Sequence, residues 1–162
     1  MANISSAYGQ IEIKADEPKL VAELINKALR GCYYTEINIE HAYEEDGKLS
    51  AEFWGEGRWA YEANCRYFWN WLKSGAEENK CQDLFEKIKA KNFEIVFDFT
   101  DDEGGCEVLY TMTYKITHKA GADDVVGSVC DCHDYEYNPQ NLTMLGVFDN
   151  IYDAREACGE GE

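Results

Sequence analysis

The sequence predicts an α+β protein: one antiparallel sheet with helices packed against a single face. Two patterns carry that prediction. Alternation of apolar and polar residues recurs along the chain, most clearly at 93–100, where Phe93, Ile95, Phe97 and Phe99 share one side. Between the alternating runs lie stretches whose apolar residues fall at helical spacing.

The elements follow in order. Tyr8 to Lys14 alternates, with Ile11 and Ile13 inward and Glu12 outward. Asp16 is placed to cap a helix whose stripe is Leu20, Val21, Leu24, Ile25, Ala28 and Leu29, and Gly31 stops it. Thr35 to Glu44 alternates again, and the Asp46-Gly47 pair predicts a tight hairpin into a strand from Leu49 to Glu56. Residues 55–73 read as a glycine-marked entry into an aromatic-rich helix with Tyr61, Cys65, Phe68 and Leu72 on one side. A helical piece from Cys81 to Lys91 follows. DDEGG at 101–105 predicts a turn between the strand 93–100 and a long strand from Glu107 to Thr117. Beyond Lys119 the pattern dissolves. The order β-α-β-β-α-β-β is the ferredoxin-like plan, βαββαβ with an added strand. Residues 1–119 are expected to form this core, and 120–162 an irregular acidic C-terminal extension on or beside it, within one domain.

Composition narrows the function. With 45% apolar and 14% aromatic residues the chain has the material for a packed core, which excludes global disorder. No apolar run reaches the roughly 18–20 residues of a membrane span. MANISSAYGQ has neither the basic nor the apolar region of a secretory signal, so a cytoplasmic protein is expected. The seven cysteines are odd in number and irregularly spaced, which reads as reduced thiols.

Charge is the unusual property. Thirty-two acids against fifteen bases leave −17, beyond the magnitude of about 2–8 usual for a small domain. Residues 1–92 hold 16 acids and 12 bases; residues 93–162 hold 16 acids and only Lys115, Lys119 and Arg155. Such a field repels nucleic acid and membranes and attracts basic partners.

If helices cover one face, strand parity places the acids on the other. That face is expected to carry Glu12, Glu36, Asn38, Glu40, Glu44, Ser50, Glu52, Trp54, Glu56, Glu94, Asp98 and Glu107. The acids of 101–103 (Asp101, Asp102, Glu103) and of 123–124 (Asp123, Asp124) extend it as loops. Strand spacing of about 6.5–7 Å between alternate residues and about 4.8 Å between strands is comparable with the spacing of phosphates on a nucleic-acid strand. Trp54, ringed by carboxylates, is an anchor for an arginine-rich partner. The remaining aromatics of 59–71 read as core.

Catalytic signals are missing: there is no G-x-S-x-G, no phosphate-binding glycine loop and no HExxH. His41 falls on the inward parity between Ile39 and Tyr43 and reads as a core histidine. The run Cys130-Asp131-Cys132-His133 offers three donors for zinc, the alternative reading of the chain. A fourth donor is hard to find, because Cys106 and His118 lie at opposite ends of a strand about 40 Å long. No cofactor is therefore expected. A further alternative is a ferredoxin-like domain binding a small ligand in an aromatic cleft.

In size, charge and layout the chain resembles the acidic inhibitors that phages and other mobile elements use against bacterial defence, the anti-CRISPR and DNA-mimic antirestriction proteins. The resemblance covers no diagnostic motif. It implies stoichiometric binding in place of catalysis, in the cytoplasm of a bacterial host cell. The partner implied is a basic nucleic-acid-binding protein or nuclease complex, with no direct binding of nucleic acid. A homodimer through the uncovered sheet is the other partner such a face permits.

Overall fold

A computed structural model of the chain describes residues 4–32, 34–58, 60–103, 108–135 and 144–147. The element order is β1 (Ile4–Ala15), α1 (Pro18–Leu29), β2 (Asn38–Glu45), β3 (Lys48–Arg58), α2 (Glu62–Arg66), α3 (Phe68–Glu78), α4 (Gln82–Lys89), β4 (Phe93–Glu103), β5 (Val108–His118), β6 (Val126–Tyr135) and β7 (Met144–Val147). The strands form one sheet in the order β2-β3-β1-β4-β5-β6-β7, and every neighbouring pair is antiparallel.

The period-2 pattern decides which side of each strand is buried. Ile11 and Ile13 of β1, Leu49, Ala51 and Phe53 of β3, Phe93 to Phe99 of β4, and Tyr110 to Ile116 of β5 send their alternate side chains to the helix face. There they meet Val21, Leu24, Ile25, Ala28 and Leu29 of α1, Phe68, Trp69 and Leu72 of α3, and Phe85 and Ile88 of α4. Phe53 packs edge-on against Phe97 at 5.3 Å between ring centres, and Tyr61 against Phe99 at 5.4 Å. His118 lies between Trp69 and Phe93, stacked at 4.7 and 4.8 Å, with its ring nitrogens 2.8 and 3.0 Å from the carbonyl oxygens of Lys91 and Ala122. The Asp46-Gly47 hairpin forms as its sequence predicts, with φ positive at both residues.

Several expectations need correction. The first helix starts on Pro18 with Glu17 at its N-cap and no side-chain cap, so Asp16 does not cap it; proline supplies the pre-set φ instead. Gly55 and Gly57 belong to β3, not to a helix entry: a side chain at Gly55 would meet the Glu36 carbonyl oxygen at 2.0 Å. The helical region breaks at Tyr67 into α2 and α3. There is no turn at Asp101, because β4 continues to Glu103 in register with β5. Beyond Lys119 the chain is not irregular throughout. β6 pairs along β5 from Thr117↔Val126 to Leu109↔Tyr135, and β7 pairs with β6.

No helix among the described residues is long and apolar enough to cross a membrane.

Candidate partner-binding surface

Because the helices take one side of the sheet, register alone determines what shares the other. Across β3, β1, β4 and β5, one row reads Trp54, Tyr8, Thr100, Thr111; the next reads Glu52, Gln10, Asp98, Thr113. On the other side of the first row lie Glu56, Ser6, Asp102 and Leu109. Tyr8 and Trp54 are therefore a direct cross-strand pair, exposed by 57% and 45% despite their size. Four carboxylates frame them: Glu52 and Glu56 on either side of Trp54, and Asp98 and Asp102 on either side of Thr100. The frame measures about 13–14 Å along the strands and about 10 Å across them.

Internal pairing neutralises many of the other acids. Glu94 lies between Lys115 at 2.9 Å and Lys14 at 3.8 Å. Glu12 meets Lys48 at 3.4 Å. Glu40 stands directly opposite Glu52, a repulsive arrangement on a sheet, and each has its own cation: Arg30 at 3.4 Å for Glu40 and His41 at 2.7 Å for Glu52. The Glu52 carboxylate raises the His41 pKa, first by the hydrogen bond and then by its charge. Asp123 pairs with Lys89 at 2.8 Å, which lowers the aspartate and raises the lysine. By contrast Glu44, Glu56, Asp98, Asp102 and Asp124 form no ion pair among the described residues. One carboxylate oxygen of Asp102 is buried and has no hydrogen-bond partner among the described residues.

Several sequence-predicted residues sit elsewhere than expected. His41 is exposed, not core. One extra residue in β2 shifts its register between Glu40 and Tyr43, and His41 takes a φ of 54° there. The same bulge reverses the parity beyond it. Tyr43 comes to the open face opposite Ser50, while Glu44 stands opposite buried Leu49 on the helix side. Asp101, expected in a solvated loop, is fully buried on the inward parity of β4. Its carboxylate accepts hydrogen bonds from the Ser5 hydroxyl, the Tyr110 hydroxyl and, at 2.8 Å, the backbone N–H of Tyr61. No periodicity argument reveals such an acceptor, since its partners come from β1, β5 and the start of α2.

Glu36 precedes β2 and is half-buried, its carbonyl accepting the Tyr61 hydroxyl at 2.7 Å. Asn38 shares the open-face row with Trp54 but is buried, and its amide donates to the Trp54 carbonyl. The Glu103 side chain and Glu107 lie outside the described residues.

The Cys130–His133 run is divided by the strand that carries it. Cys132 pairs with Met112 and is buried on the helix side. His133 pairs with Thr111 on the open face, where it meets Asp131 at 2.8 Å. Cys130 is the extra residue of a β6 bulge and is exposed. Cys132 and His133 thus point to opposite sides of the sheet. Among the described residues no three potential metal donors converge. No family model, curated protein or solved structure matches the chain, so the case for a partner rests on this surface.

Proposed function

We propose that the protein is a stoichiometric inhibitor that presents its acidic sheet face to the basic nucleic-acid channel of a bacterial defence nuclease or related complex. The observation that supports this reading is the face formed by β2, β3, β1 and β4. Among the described residues no helix covers it, and Glu56, Asp98 and Asp102 stand on it without ion pairs to other described residues. Their spacings, multiples of about 7 Å along a strand and about 5 Å between strands, approach those of backbone phosphates. Such a surface is attracted to lysine and arginine and repels nucleic acid, so it competes with nucleic acid for a basic channel. Activity by occupancy requires neither a catalytic residue nor a cofactor.

The β2-β3-β1-β4 order with helices on one side supports reading residues 4–103 as a ferredoxin-like unit extended by β5 to β7. That plan hosts many functions and does not choose the partner.

The test is affinity capture from a nuclease-treated bacterial lysate at about 0.1 M and about 0.5 M salt, where the Debye length falls from about 10 Å to less than half of that. A nucleic-acid-binding complex should be retained at low salt, released at high salt, and displaced by its own nucleic acid. Retention indifferent to both salt and nucleic acid would sink the reading.

A further inference from the structure

Building on that reading, we propose that the partner is recognised through arginine, its guanidinium seated over the Tyr8–Trp54 pair inside the frame of Glu52, Glu56, Asp98 and Asp102. Two features of the face converge on this chemistry.

Tyr8 and Trp54 lie side by side on the side of the sheet away from the described helices, and each keeps a large part of its surface open to solvent. An aromatic face attracts a cation most strongly when the cation is weakly hydrated and planar, as a guanidinium is. The carboxylates stand at the edges of the aromatic pair, one or two positions away in register. A guanidinium lying flat on a ring keeps its N–H donors in its own plane, directed outward at those edges. A lysine ammonium has no such plane, and it gives up more hydration to approach the ring.

The occupant is therefore an arginine-bearing segment of a partner protein, held by stacking as well as by charge. A second copy of this chain is disfavoured at this face, because the same carboxylates would meet each other.

The full-length protein is titrated calorimetrically with oligoarginine and oligolysine peptides of equal length at about 0.1 M salt. Wild type should bind oligoarginine about three- to tenfold more tightly. Trp54→Leu should bring the two affinities together while leaving both measurable, and Trp54→Phe should restore part of the preference. The unfolding midpoints of both variants should match wild type, because Trp54 lies on the exposed face. Equal wild-type affinity for the two peptides, or a preference that Trp54→Leu leaves intact, would overturn the arginine inference alone. Failure to bind either peptide would overturn it together with the acidic-inhibitor reading. A dimer in sedimentation that dissociates when oligoarginine binds would also overturn it, by making a second copy the natural occupant.

Discussion

The carboxylate of Asp101, near the end of β4, accepts the backbone N–H of Tyr61 at 2.8 Å, at the threshold of α2. The same carboxylate takes the Ser5 and Tyr110 hydroxyls, so three separate elements depend on one buried acceptor. Asp101→Ala leaves three buried donors without it. We expect a loss of about 3 kcal/mol in urea unfolding, against about 1 kcal/mol for Tyr110→Phe, which leaves the carboxylate its bonds from Ser5 and Tyr61. An Asp101→Ala variant as stable as wild type would show that the cluster is dispensable.

Gly75 marks the closest approach of α3 to α1. A Cβ there would lie 2.3 Å from the Ala28 carbonyl oxygen, a backbone atom that cannot swing aside. Helix propensity favours alanine over glycine by about 1 kcal/mol. Overpacking against a neighbouring helix costs about 1–3 kcal/mol or more. The clash should win: Gly75→Ala is expected to lower thermal stability, where an exposed helical glycine would raise it.

Charge reversal should separate free acids from paired ones. Asp98→Lys and Glu56→Lys remove carboxylates that form no ion pair among the described residues, and each should weaken a basic partner by about tenfold without changing the circular dichroism spectrum. Glu94→Lys instead places a third cation beside Lys14 and Lys115, which now share its carboxylate. It is expected to cost stability measurably while affecting partner binding less. If Glu94→Lys abolishes binding and Asp98→Lys does not, the binding surface lies nearer the end of the sheet where β4 begins, beside Lys14 and Lys115.

His41 gives the face a pH dependence whose sign follows from its partner. Glu52 raises its pKa above the ordinary 6.5 by bonding to and attracting the imidazolium, with Glu40 adding to the effect. The stability contributed by the pair is complete below about pH 6.5 and is lost as pH rises through the raised value. The same deprotonation leaves Glu52 unbalanced. Binding of a basic peptide should therefore strengthen across that window. NMR titration of the His41 ring should show the elevated midpoint, and Glu52→Gln should remove most of the elevation, leaving the smaller contribution of Glu40.

The thiols should react in an order dictated by the fold. Cys130 is exposed at the β6 bulge, whereas Cys65 and Cys132 are buried, and burial holds the Cys65 thiol well above its usual pKa. Brief alkylation of the native protein, read by peptide mass mapping, should label Cys130 and spare Cys65 and Cys132 until denaturant is added. Early labelling of Cys132 would contradict its inward register.

Much of the sheet was legible because the signal is local. The Phe93–Phe99 alternation, the Asp46-Gly47 turn and the α1 stripe each place a side chain relative to its neighbours in sequence, and the structure keeps them. The misplacements share one cause. Parity counting assumes an unbroken strand, and one bulge in β2 carried His41 and Glu44 away from the sides assigned to them. Asp101 was misread for a related reason: its run of acids resembles a loop, but three donors from distant elements make a buried carboxylate tolerable. The division of Cys132 from His133 was readable in principle, since adjacent strand residues face opposite ways. The rule needs a recognisable strand, and the Gly, Asp and Asn residues around β6 hide one.

By itself, the sequence determined that this chain has a packed α+β core, a strong negative charge and carboxylates that alternate with apolar residues along several strands, because periodicity and charge are properties of neighbouring residues. Only the tertiary structure decided which of those acids remain available. Glu94, Glu40, Glu52 and Asp123 are matched by cations brought from other strands, helices or loops, and Asp101 is enclosed by hydroxyls and an amide. Glu56, Asp98 and Asp102 are left around Tyr8 and Trp54, an arrangement that exists only through the register of β3, β1 and β4. Pairing between strands is a long-range contact, and no local pattern encodes it.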